Sequence, residues 1–193
     1  MDKPPPPSKV PGTGSAWDRW LALAHAIDFL NDGVGRSVAW LTAVMVLVTF
    51  TDALMRYALN TSFVFVQEVE WHLFAVVFLL AAGYTQLKGG HVRVDIVYAR
   101  LAPRVRAWID LVFCLLFLFP TCYLVITTSL PFVARSWAAW ETSADPGGLP
   151  LRFVLKAVIP LGFSLIGLQG VSETIKNAAS LFPTSPLRKG KNR

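Results

Sequence analysis

Glu68, Glu70 and His72 are the closest grouping of ionisable side chains inside an apolar stretch, and carboxylates beside an imidazole are the types that hold a metal or pass a proton. Their spacing argues against both. Only Glu68 and His72, four residues apart, share a helical face, and no further ligand is evident. The expectation is no catalytic and no metal-binding residue here, the acids serving a helix start or a contact with another subunit. Asp52 and Arg56 are also four apart, in the order that favours an intrahelical ion pair; an inter-subunit contact is the other reading. His25, His72 and His91 fall at different depths of the chain's apolar blocks and supply no facing pair for a haem. Cys114 and Cys122 share one uncharged block without a Cys-x-x-Cys spacing and read as small buried hydrophobes. No cofactor is expected.

The elements that must position these residues are set by composition. Of 193 residues, 54% are hydrophobic and 16% charged, with seven Trp, and mean hydropathy is +0.50. A soluble domain carries about 25% charged residues, interleaved with apolar ones. Here the apolar residues form four blocks, at 38–57, 69–87, 111–134 and 153–171. Each is close to the run of about 20 residues that crosses a bilayer as a helix, and lipid, which cannot hydrogen-bond a bare backbone, selects helix over strand. The predicted fold is therefore all-α and integral to the membrane, with four transmembrane helices in a domain at 36–176. A large extramembrane catalytic domain is excluded.

Charge supplies an orientation. The net charge of +6 could point to nucleic acid, but the basic residues lie between apolar blocks, where they report topology, and no nucleic-acid partner is expected. Of the 18 Lys and Arg, Arg56, Arg135, Arg152 and Lys156 fall on one side and the rest on the other. The imbalance predicts both termini in the cytoplasm. Residues 1–15, rich in Pro and Gly, are expected to be a disordered tail with no cleavable signal, and 177–193 a basic cytoplasmic tail.

Two segments read as amphipathic. At 16–32, Trp20, Leu23, Ala24, Ile27 and Leu30 fall on one arc and Asp18, His25, Asp28 and Asp32 on another, which predicts a cytoplasmic surface helix docked on lipid or on a partner. Between the second and third spans, Val94, Val97, Tyr98 and Leu101 fit a short interfacial helix stopped by Pro103.

A helix that moves ions needs ionisable groups near the bilayer midplane, and none of the four blocks has one there. The fourth block instead carries packing features: Pro160, Gly162, a row of Ser164, Gly167 and Gly170 that admits a close neighbour, and Gln169, expected to meet another helix. Pro120 is expected to disturb the third helix in the same way. The connection at 137–150 joins Trp137 and Trp140 to turn chemistry and should anchor depth. Such a chain reads as one component of a larger membrane assembly.

In sequence order, Arg56, Glu68, Glu70-Trp71, His91-Val92-Arg93-Val94-Asp95, Trp140-Glu141-Thr142-Ser143, Gly148-Leu149-Pro150, Pro160-Leu161-Gly162-Phe163 and Gln169-Gly170 resemble the small membrane subunit of tripartite ATP-independent periplasmic (TRAP) transporters. The likeness covers 56–176, and its most specific piece is the 91–95 motif. It implies a non-catalytic, four-helix subunit in the bacterial inner membrane, scaffolding a large substrate-translocating subunit. A periplasmic solute-binding protein delivers the solute, often an organic acid, and a sodium gradient drives symport. The stretch 68–87 is similar to the mannitol/chloroaromatic branch, whereas Val66 stands where many members have Trp. Asp52, Arg56, Glu68, Glu70, Trp71, His91, Arg93, Asp95, Trp140, Pro160, Gly162 and Gln169 are the candidates for subunit contact or helix-end orientation. The alternative from another class is a four-helix membrane anchor of a haem or quinone redox complex.

Overall fold

The computed structural model describes residues 17–89 and 101–182. Among them, four helices are long and apolar enough to cross a membrane: α1 (Asp18–Leu59), α2 (Val64–Leu87), α3 (Pro103–Ala138) and α4 (Arg152–Leu181). The tail at 1–15, the motif with His91, Arg93 and Asp95, the expected interfacial helix over 94–100, and 183–193 lie outside the described residues.

α1 departs from expectation. No separate surface helix stands before the first span; the chain runs as one helix of 42 residues through Asn31-Asp32-Gly33-Val34-Gly35. Two glycines in a helix cost about 1 kcal/mol each relative to Ala, and polar residues there would ordinarily read as a break. The neighbours offset this. Asn31 and Asp32 find partners on other helices, and Gly35 lies against the Tyr84 side chain, where a β-carbon would collide. The expected apolar arc is only in part the buried one. Ala24, Ile27 and Asn31 are buried while Trp20, Leu23 and Leu30 stay exposed, because Asp28 and Asp32 of the expected outer arc turn toward Lys176 and Lys88.

α2 begins at Val64, so Glu68 sits a full turn inside rather than at the helix start, and the first turn contains no acid. Pro103 begins α3: at the first helical position it needs no N–H partner and its φ is already set, while the segment it was expected to stop lies outside the described residues. Below Pro120, residues Cys114–Leu118 form one π-helical turn closed by a bond from the Phe119 N–H to the Cys114 carbonyl. That wide turn accommodates the proline without ending the helix.

α4 is the hub, packing on α1, α2 and α3, while α1 also pairs with α2. Over its most apolar window α4 is 28% buried, against 6–11% for the others. Small residues permit the contacts, divided between two neighbours. A β-carbon on Gly162 would stand 2.7 Å from the Leu79 carbonyl oxygen of α2, whereas Gly167 and Gly170 face Cys122 and Leu118 of α3. Ser164, expected in the same row, donates to the Pro160 carbonyl at 2.7 Å.

Candidate functional site

Two polar clusters, one at each end of the bundle, join ionisable side chains of different elements. Near the α1–α2 turn, Glu68 is 3% exposed and accepts hydrogen bonds from the Ser143 hydroxyl, the Leu149 N–H and, at 3.3 Å, the Arg152 guanidinium. The α3–α4 connection is folded around that carboxylate. Ser143 N–H donates to the Leu149 carbonyl at 3.1 Å, Gly148 N–H to the Asp145 carbonyl at 3.0 Å, and Arg152 N–H to the Glu141 carbonyl at 3.0 Å. Gly148 must lack a β-carbon, which would stand 2.8 Å from Glu68 Oε1. Trp140 and Leu151 adopt positive φ of 45° and 64°, so the ends of this connection hold backbone that side chains disfavour.

The same end carries a second clamp. Glu141 accepts from the Ser136 hydroxyl at 2.6 Å and from the Lys156 ammonium, which also lies 4.0 Å from the Phe132 ring centre. The Lys156 bond, followed by the Ser136 bond, holds the Glu141 carboxyl below its ordinary value of 4.5. Trp137 and Trp140 both meet the Phe153 ring edge-on, at 4.5 and 5.9 Å.

The other predicted residues of this end are placed as follows. Arg56 bonds Asp52 at 2.6 Å within α1, so the intrahelical pair is observed. Trp71 is exposed beneath the Arg152 guanidinium, 5.7 Å from its ring centre, and its ring meets His72 at 4.0 Å. His72 Nδ1 is 2.6 Å from the Glu68 carbonyl oxygen. Glu70 is half-buried, with Oε1 enclosed and no hydrogen-bond partner among the described residues. Glu68, Glu70 and His72 do not converge: among the described residues no three His, Cys, Asp or Glu side chains come together as metal ligands do.

At the opposite end, Asp28 of α1 meets three residues of α4: the Lys176 ammonium, the Ser172 hydroxyl at 2.7 Å and the Gln169 amide at 3.1 Å. Gln169 Oε1 accepts in turn from Asn31 Nδ2 at 2.8 Å. Gln86 of α2 donates to Glu173 of α4 at 3.3 Å. Asp32 joins α1 to Lys88, just past α2, at 2.9 Å, and that bond raises the Lys88 pKa above 10.5. Of this cluster only Gln169 was a sequence candidate. Asp28, Asn31, Lys88, Ser172 and Lys176 were missed, as were Ser143 and Arg152 at the other end. The available signal was the recurrence of Asp28 and Asn31 on one helical face, three residues apart like Gln169 and Ser172.

Chemically, both clusters are clamps. Glu68, Glu141, Asp28 and Asp32 are each matched by opposite charges or hydrogen-bond donors from another element, the arrangement that fixes helix positions.

Residues 45–180 match the family model described as tripartite ATP-independent periplasmic transporters, DctQ component. Neither the curated proteins nor the solved structures give a match.

Proposed function

We propose a role that proceeds from one shown fact: the chain belongs to the DctQ-component family of tripartite ATP-independent periplasmic transporters and is the small permease component of such a system. In our reading it is a non-catalytic scaffold in the bacterial inner membrane, both termini cytoplasmic, that steadies a large translocating subunit. A periplasmic solute-binding protein delivers the solute to the pair, and a sodium gradient drives symport, with an organic acid as the expected solute class. Within the family we assign the chain to the mannitol/chloroaromatic-like branch on the stretch 68–87.

The observation that carries the scaffold reading is the use made of the polar residues. Glu68, Glu141, Asp28 and Asp32 each tie one part of the bundle to another, so the helices are braced at both ends. A translocating helix pair needs the opposite: polar groups left open near the midplane to meet the moving charge. Arg56, half-exposed at the end of α1, and the exposed Trp71 and Trp140 are the described candidates for contact with other components.

Affinity purification of the full chain from its native membrane tests this. The expected result is recovery of a large polytopic partner, with sodium-dependent uptake in vesicles only when both membrane subunits and the solute-binding protein are present. Gradient-coupled accumulation by vesicles holding this chain alone would overturn the reading.

A further inference from the structure

Arg36 of α1 and Lys88, just past α2, converge on one carboxylate. Arg36 Nη2 is 2.6 Å from Asp32 Oδ2 and Lys88 Nζ is 2.9 Å from Asp32 Oδ1, while the two basic side chains are 78% and 52% exposed. Two cations on one anion leave a net positive charge directed outward. The group is held in place rather than free on the surface: Lys88 lies 5.1 Å from the Tyr84 ring centre, and Tyr84 in turn packs on Gly35 of α1.

Depth is fixed by the same helices. From Arg36 to Arg56 on α1, and from Glu68 to Lys88 on α2, there are about 20 residues, or about 30 Å of helix, the thickness of a bilayer's hydrocarbon core. That spacing puts Arg36 and Lys88 at the edge of the hydrocarbon core, where long basic side chains reach the lipid phosphates. Above Arg36, at helical spacing on one face, come Trp40, Val44 and Leu47, exposed by 78%, 47% and 65%. A cationic pair at phosphate depth beneath an apolar stripe matches a lipid with a negative headgroup: guanidinium and ammonium bind the phosphate, and the stripe takes an acyl chain.

We propose that Arg36 and Lys88 form a binding site for the phosphate of an anionic phospholipid, with its acyl chain lying along Trp40, Val44 and Leu47. Asp32 lowers the net charge of the site without contacting the lipid. The phospholipid is then a defined ligand of this end of α1 and α2 rather than bulk solvent.

The experiment uses the full chain purified with its membrane partner, stripped of lipid in detergent and titrated with phosphatidylglycerol or phosphatidylcholine, bound lipid being counted by native mass spectrometry. Wild type should hold one phosphatidylglycerol more firmly than phosphatidylcholine, and Arg36→Gln should weaken that lipid about tenfold. The Lys88–Asp32 tie remains in Arg36→Gln, so the helices stay joined. Asp32→Asn, which removes negative charge from the site, should bind phosphatidylglycerol at least as tightly as wild type. Equal retention by wild type and Arg36→Gln, equal retention of the two lipids, or loss of binding in Asp32→Asn would each overturn the proposal. Displacement of the lipid by inorganic phosphate at matched concentration would assign the site to the free anion and overturn it as well. Recovery of the partner is read on the same sample and reports the scaffold reading separately.

Discussion

Asn31 of α1 and Gln169 of α4 share a hydrogen bond of 2.8 Å, with side chains 0% and 1% exposed. Neither amide can turn to water, so each depends on the other. Replacing one by Leu strands the other's buried amide, which costs about 1–3 kcal/mol, while replacing both removes that stranded amide and leaves Asp28 with its bonds to Ser172 and Lys176. Asn31→Leu and Gln169→Leu are each expected to lower the thermal midpoint of the detergent-purified chain. The double variant should be more stable than the sum of the two losses implies. A strictly additive double-mutant cycle would show that the two side chains act independently.

Glu68 holds the α3–α4 connection through the Leu149 N–H and the Ser143 hydroxyl. Glu68→Ala leaves both donors and Arg152 without their acceptor, at a cost of about 1.5–3 kcal/mol for charge-assisted bonds. Hydrogen exchange at the Leu149 amide should then quicken by about tenfold or more, with the α4 amides near Gln169 unchanged. Glu68→Gln, which keeps one acceptor oxygen, should fall between. If Leu149 exchanges at the wild-type rate in Glu68→Ala, the carboxylate does not hold the loop.

How far these relationships were legible beforehand depends on their range in sequence. The four spans were, because unbroken apolar blocks have few other folded outcomes, and so was the Asp52–Arg56 pair, whose partners lie one turn apart on one helix. Gln169 was legible as a polar residue needing a partner, but its partners lie 138 and 141 positions away and no local pattern names them. The same distance hid the continuity of α1. Asn31-Asp32-Gly33 reads as a helix end until Gln169 and Lys88 are seen to engage it, and the acidic arc reads as solvent-facing until Lys176 is placed opposite Asp28. Glu68 was singled out as a helix-start charge or a subunit contact, and neither reading contains its place in the fold. Its role comes from Ser143, Leu149 and Arg152, brought to it only by the return of the chain between α3 and α4.

The Glu141–Lys156 clamp gives a pH dependence of definite sign. Glu141 is held below 4.5 in the folded chain, chiefly by the Lys156 bond. The folded state therefore binds this proton more weakly than the unfolded one, and the clamp contributes its full stability above pH 4.5, losing it as pH falls through the lowered value. The thermal midpoint of wild type should fall more between pH 6 and about pH 3 than that of Glu141→Gln, which has no proton to take up there. Equal falls would place the acid sensitivity on other carboxylates.

Gly162 and Gly167 lie on the same helix and make opposite predictions. Ala in place of Gly inside a helix gains about 1 kcal/mol in propensity wherever the new methyl finds room. At Gly167 it does: the nearest atoms, Cys122 Cβ and Sγ, would be 3.7 and 3.8 Å away, ordinary contact distance. At Gly162 the methyl would stand 2.7 Å from the Leu79 carbonyl oxygen and 3.1 Å from its carbonyl carbon. Backbone of a packed helix cannot swing aside as a side-chain tip can, so α2 and α4 must separate, at a cost of about 1–3 kcal/mol that exceeds the propensity gain. Gly167→Ala is thus expected to raise the thermal midpoint slightly and Gly162→Ala to lower it by several degrees. Because α4 is the helix on which the others pack, Gly162→Ala should also loosen hydrogen-exchange protection on α2 around Leu79. A stabilised Gly162→Ala variant would mean that the two helices do not approach as closely as described.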